Sequence, residues 1–273
     1  MKKIVYKANA TDVKTKKHSS KPILYILLIV SAIAFVISGF MLFSTIIKGK
    51  KEQAVFDQLS PAVNQIEYTE ESGSESNPLA EYYFGLKEKN SDFIGWIKID
   101  GTQLDYPVMH TPENPEYYLR RTFDKSYSLS GTPFMDAVCT LDDNAVMVYG
   151  HHMNNGTMFA ALHNYKDESF WKSHKTIVFD TVEERRTYEI VSAFYTEVKE
   201  VNDTASFKYY KYIGNLSAED FDYYCRNIKA ASIYDTGVEI AADDKLITLS
   251  TCSDHHEYGR LVVVARLKDT QKF

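Results

Sequence analysis

Between Ile23 and Ile47 the chain runs for 25 residues without one charged side chain. At 1.5 Å of rise per residue this exceeds the ~20 residues that cross a bilayer as a helix. In lipid a lone segment can satisfy its own backbone only as a helix. One N-terminal transmembrane helix over residues 23–47 is therefore the first element to expect. Seven lysines precede it, and Lys48, Lys50 and Lys51 follow closely. The basic excess on the N-terminal side places that end in the cytoplasm and the bulk of the chain outside. The run is longer than the apolar core of a cleaved leader, about 7–15 residues, and no small-x-small site follows closely, which favours an anchor.

Charge divides at the same place. Residues 1–21 carry +6, which leaves −12 for the rest of a chain whose formal net charge is −6. A domain so acidic speaks against nucleic acid as a partner, and the basic tail reads as an orientation signal. The three cysteines are Cys139, Cys225 and Cys252. An odd number leaves one thiol unpaired in a monomer, and their spacing resembles no metal site. Cys139 and Cys225 read as small hydrophobic residues.

The segments that follow suggest a basic tail (1–22), the membrane helix (23–47), a stalk or linker (48–78) and one outer domain (79–273). Lys48 to Glu71 is mixed and weakly amphipathic, and Glu70 to Pro78 has the composition of a linker. Leu79, Tyr82, Tyr83 and Leu86 fall on one helical face. From Phe93 onward the pattern is mostly β. The candidate strands are Phe93–Ile99, Leu104–Met109, Thr132–Ala137, Ala145–Tyr149, Thr176–Asp180, Thr187–Phe194, Leu246–Leu249 and Leu261–Ala265. Short helices are expected at Met158–Tyr165 and Ala218–Ala230, the latter capped by Ser217. Eight short strands with few helices point to a mainly β fold, a closed or nearly closed barrel.

The chemistry concentrates near the C-terminus. Thr248-Leu249-Ser250-Thr251-Cys252 ends one apolar run, and Arg260 begins the next after a polar loop. If those strands pair antiparallel, the thiol and the guanidinium become neighbours. A cysteine beside a fixed cation is a candidate nucleophile with a stabiliser for negative charge. A thiol nucleophile also needs an acid or base. Of the eight histidines, His18 falls in the basic tail, and His110, His163 and His174 stand in ordinary loop or helix contexts. His255 and His256 occupy the loop after Cys252. His151 and His152 follow a strand and Gly150, and only one of two successive residues in extended chain can face the thiol. His151, Cys252 and Arg260 together would supply an acid/base, a nucleophile and an oxyanion partner.

These residues resemble the sortase family, the membrane-anchored cysteine transpeptidases of Gram-positive surfaces. Residues 248–252 match its TLxTC signature, Gly259-Arg260 its arginine site and Gly150-His151 its histidine site. Asp92 to Ile97, Asp105 to Met109, Tyr117-Tyr118-Leu119 and Tyr149 to Met153 are worded most like class B sortases, as is the insertion bearing the 218–230 helix. The resemblance implies an eight-stranded sortase-type β-barrel with peripheral short helices, and a catalytic set of His151, Cys252 and Arg260. It implies that Ser250 and Thr251 line the substrate groove and that Tyr212 helps hold the peptide. No cofactor is implied, and no carboxylate cluster suggests the calcium site of another sortase class. The implied partners are the membrane lipid, surface proteins with a C-terminal sorting signal (NPxTx-like or PxTG-like), and an amine from a peptidoglycan cross-bridge or its precursor. Three alternatives stand beside it: a secreted cysteine peptidase that uses water, a pilin polymerase that uses a lysine, and an anchored scaffold without catalysis.

Overall fold

The computed structural model describes residues 21–61, 77–197, 206–252 and 259–273, and of residues 21–23, 48 and 252 the backbone alone. The basic tail, His18, most of the 62–78 linker and the loop bearing His255 and His256 lie outside these residues. The chain forms two compact units, divided between Lys48 and Gly49.

Helix α1 spans Lys21–Leu59. In the first unit its apolar side chains face outward all round, and the helix is long and apolar enough to cross a membrane. Three of its hydroxyls bond back to the helix itself. Ser31 Oγ donates to Leu28 O at 3.0 Å, Ser44 Oγ to Met41 O at 2.8 Å and Thr45 Oγ1 to Met41 O at 3.0 Å. This back-bonding removes the polar cost of those side chains in hydrocarbon.

In the second unit eight strands close a barrel: β1 Phe93–Lys98, β2 Asp105–Met109, β3 Phe134–Met135, β4 Ala145–His151, β5 Thr176–Asp180, β6 Glu184–Glu197, β7 Leu246–Cys252 and β8 Gly259–Lys272. Their order around it is β1-β2-β3-β4-β7-β8-β6-β5. All eight expected strands are present. β3 is shorter than expected because Pro133, without an N–H, precedes it, and Asp136 follows with a turn in which its Oδ1 accepts from Val138 N at 3.1 Å. β6 and β8 are longer, with two irregularities in their shared ladder. The expected helix at Met158–Tyr165 is a 3₁₀ segment, Phe159–Lys166, entered through Met158 at φ 56°.

β4 and β7 run parallel, and six of the seven β4 positions are buried. A strand covered on both sides reads as a continuous apolar run, which is how Ala145–Tyr149 stood out in the sequence. The barrel interior is filled by residues such as Ile97, Val108, Val148, Ile190, Ile247, Leu249, Leu261 and Val263. Helix α2 (Pro78–Lys89) buries Leu79, Tyr83 and Leu86 against Phe93 and Trp96, and Asn77 caps it by accepting from Leu79 N at 3.0 Å. A short α3 covers Glu168–Ser173. Helix α4 (Ala218–Ala231) lays Phe221, Tyr224 and Ile228 on Met147, Val191 and Val262 of the outer barrel wall.

Residues 49–59, expected as the start of a stalk, are part of this unit. Phe56 is 1% exposed, packs in the main core and meets the Tyr106 ring edge-on at 5.5 Å. Ser60 Oγ donates to Asp105 Oδ2 at 2.7 Å. The amphipathic trace in Lys48–Glu71 was the sequence signal for this contact.

Two predictions follow from packing. Gly150 is glycine because of crowding, not because of a turn: a Cβ there would stand 2.5 Å from Cγ of the buried Phe159 ring. Overpacking of this kind costs about 1–3 kcal/mol, so Gly150→Ala should lower the denaturation midpoint measurably, and an unchanged midpoint would contradict the crowding. His163 Nε2 is buried with no hydrogen-bond partner among the described residues. Its ring lies 4.0 Å from that of His152. Burial first, then the neighbouring His152 and Lys166 charges, push its pKa down to about 4. The unfolded chain therefore holds more protons than the native one from about pH 6.5 down to that value, and stability must fall as the pH falls through this window. Melting temperatures measured across it should drop less steeply for His163→Gln than for the parent.

Candidate active site

The ends of β4 and β7 define the site. Their parallel ladder keeps one register over seven pairs, from Ala145↔Leu246 to His151↔Cys252. Paired strands lie about 4.8 Å apart. Residues that stand 101 apart in sequence are thus brought side by side by backbone hydrogen bonding alone, at the carboxyl ends of two strands whose other residues are locked in the core.

His151 is 5% exposed. Its Nε2 is 2.8 Å from the carbonyl oxygen of Leu119, in the 3₁₀ turn Tyr117–Arg120. A carbonyl only accepts, so Nε2 carries a proton. In the neutral ring the proton is then fixed on Nε2, and Nδ1 is the basic nitrogen. Leu119 was not among the expected site residues. Its segment, Tyr117-Tyr118-Leu119, is among those that resemble class B sortases, but a backbone acceptor leaves no mark in side-chain chemistry.

Arg260 is the second residue of β8. It stands opposite Thr196 of β6, and its Nη1 donates to the carbonyl of Thr251 at 2.8 Å. β7 and β8 pair antiparallel as expected, up to Ser250↔Val262. Beyond that pair the Thr251 hydroxyl takes over. Thr251 Oγ1 accepts from Leu261 N at 3.1 Å and reaches Leu261 O at 3.3 Å. The guanidinium is therefore fastened to the peptide group that leads directly into Cys252.

Ser250 and Thr251, expected along a groove, are fully buried. Ser250 Oγ shares a 2.7 Å hydrogen bond with Tyr209 OH, and Thr251 is committed to β8. Both hydroxyls brace the strand end from beneath and offer no surface to a ligand, because β7 is enclosed by β4, β8 and the aromatic layer under α4. Tyr212 is half-buried in that layer. It stacks at 6.0 Å on Tyr224 and lies 5.2 Å from Tyr223.

The other candidates fall away from this corner. Cys139 is buried in the core, where burial above all pushes its thiol up to about 11. Cys225 lies on α4, pushed to about 12 chiefly by burial. Both are free thiols held in the protonated, unreactive form. His152 turns to His163, and His174 stacks on Phe170 at 4.0 Å. His110 lines a separate surface pocket with Asp92, Glu113 and Tyr117. Among the described residues no group of three or more His, Cys, Asp or Glu side chains is placed to hold a metal ion.

A buried histidine with a fixed tautomer, a cysteine in register beside it and a cation bonded to the preceding peptide form an arrangement suited to acyl transfer. Comparison with known proteins agrees. The sortase domain family matches residues 97–268. Sortase B of Staphylococcus aureus is 29% identical over 252 residues, spanning 90% of this chain and 97% of the relative. The solved S. aureus sortase B–substrate complex superposes with a TM-score of 0.66 at 27% identity, covering 82% of this chain and 99% of the other. A mutant form of Clostridium perfringens sortase B gives 0.64 at 31% identity, covering 78% and 94%. The chain belongs to the sortase family, and within it to the class B sortases, which are cysteine transpeptidases.

Proposed function

We propose that this sortase cleaves a C-terminal sorting signal after a threonine and transfers the protein to a cell-wall amine, with Cys252, His151 and Arg260 as its catalytic set. The observation that carries this reading is the His151↔Cys252 register pair, with Arg260 bonded to the carbonyl of Thr251. The thiolate of Cys252 attacks the threonine carbonyl carbon, and the carbonyl electron pair moves onto oxygen. The Arg260 guanidinium, always charged and planar, faces that oxyanion. Collapse breaks the C–N bond. The leaving amine takes a proton from the His151 imidazolium, and the N-terminal fragment stays as a thioester. The incoming amine then attacks the thioester carbon and gives a proton to the neutral imidazole. The C–S bond breaks and the thiolate and imidazolium return.

The Leu119 carbonyl supports this assignment. By holding the Nε2 proton it leaves Nδ1 as the nitrogen that exchanges a proton with substrate, so a single ring position serves both half-reactions. Tyr212 and its aromatic neighbours form the wall we assign to the bound peptide. The solved S. aureus relative was captured with substrate, and a peptide sorting signal of the NPxTx or PxTG kind is the substrate class we assign here. The amine is one from a peptidoglycan cross-bridge or its lipid-linked precursor. α1 anchors the enzyme, with the lysine-rich end inside and the barrel on the outer face of the membrane.

Incubation of the purified full chain with sorting-signal peptides and an oligoglycine should give a product that carries the amine, and mass spectrometry should detect the acyl-enzyme. Cys252→Ala and His151→Ala should abolish both while the thermal midpoint stays near that of the parent. Arg260→Lys should lose roughly 10²–10³ in kcat, because an ammonium lacks the planar fork. Hydrolysis without amine incorporation would mark a peptidase, and full activity in the lysine variant would remove the oxyanion role.

A further inference from the structure

We propose that Glu52 and Gln53, adjacent residues in the last part of α1, orient the His151 imidazole through two separate hydrogen-bonded arms. The inference rests on the acid/base role of His151 given above.

The first arm runs from Glu52. Its Oε2 accepts from Ser128 Oγ at 2.7 Å and from Ser130 Oγ, and its Oε1 accepts from Leu129 N at 3.4 Å. Ser128 Oγ in turn accepts from Ser130 N and Gly131 N, both at 3.1 Å. A carboxylate thus ties the 128–131 turn into one conformation. That turn is pressed against the acceptor of the histidine. Gly131, at φ 62°, passes so close that a Cβ there would stand 2.5 Å from the Leu119 oxygen. Ser128 N donates to Arg120 O at 3.0 Å and Thr132 N to Tyr118 O at 3.0 Å, on either side of Leu119. The carbonyl that holds His151 Nε2 is buttressed from behind by a turn that Glu52 fastens.

The second arm runs from Gln53. Its Oε1 accepts from Tyr106 OH at 3.1 Å, and Tyr106 OH accepts from Met158 N at 3.0 Å. Met158 is held at φ 56°, a conformation costly for a residue with a Cβ, and it bridges to His152. Gln53 Nε2 is itself fixed by Asp57 Oδ1 at 2.8 Å. One arm therefore sets the partner of the imidazole and the other sets the backbone immediately after it. Neither Glu52 nor Gln53 needs to reach the reacting atoms; they are positioning residues.

The test uses the full chain in lipid nanodiscs, with transpeptidation kinetics and ¹⁵N-histidine spectra in which His151→Gln identifies the His151 ring signals. Glu52→Ala should lower kcat by about tenfold to a hundredfold, the scale of a small displacement of a catalytic group, with KM little changed. The His151 nitrogens should lose the pattern of a single Nε2–H tautomer. Glu52→Gln, which keeps an acceptor oxygen for the serines, should recover most of kcat. Ile228→Ala, in the α4 layer, should lower the melting temperature without altering the ring signals. The inference is overturned if Glu52→Ala keeps kcat and the tautomer signature, or if it loses stability and activity together with the His151 signals unchanged. Full activity in His151→Ala would instead overturn the catalytic reading beneath it, so the two failures are told apart.

Discussion

The parallel ladder between β4 and β7 is the constraint on which the site depends. Parallel neighbours need a long crossover, and the chain between Ala145–His151 and Leu246–Cys252 contains β5, β6, α3 and α4 before it returns. A shift of one residue in that ladder would turn every apolar side chain of β7 away from the core. Burial of Ile247 and Leu249 thereby fixes the position of Cys252 beside His151. Core packing sets the geometry of the candidate site, and no specific contact between the proposed catalytic residues is needed to choose the register.

Around this ladder the polar groups at the strand ends act as stops. Thr251 closes β7 onto β8, Ser250 is held by Tyr209, and Thr248 shares a 2.6 Å hydrogen bond with Tyr224. Three buried hydroxyls on one strand, Thr248 and Ser250 toward the aromatic layer and Thr251 on the opposite face, would be costly without partners. The aromatic insertion supplies two of these partners. This gives each hydroxyl of Thr248, Ser250 and Thr251 a structural duty at the strand end that leads into Cys252.

Much of this was legible from the amino acids. The strands stood out because each is a short β-branched or aromatic run closed by turn residues, and the α4 helix announced itself through its Ser217 cap. The cysteine and arginine were recognisable because an antiparallel pairing of two adjacent runs is a local matter. The parallel partner of β7 was not deducible from spacing, since nothing local marks which of several apolar strands lies beside it; His151 was a candidate from its place at a strand end after Gly150, and the resemblance of its segment singled it out from His152. The burial of Ser250 and Thr251 was missed because alternation along β7 gives way to enclosure on both sides. The contribution of 49–59 to the core was missed because one phenylalanine, Phe56, carries it within a polar stretch. Leu119 acts through its main chain, which any residue could supply.

The central claim is that three side chains far apart in sequence meet in one crevice. The most direct measurement is a crystal structure of the protein captured at Cys252 by a thiol-reactive sorting-signal analogue. The account predicts the adduct oxygen within hydrogen-bond reach of the Arg260 guanidinium, and the His151 ring beside the sulfur with Nε2 still on the Leu119 carbonyl. An adduct oxygen turned to solvent, with His151 too far from the sulfur for even one bridging water, would contradict it.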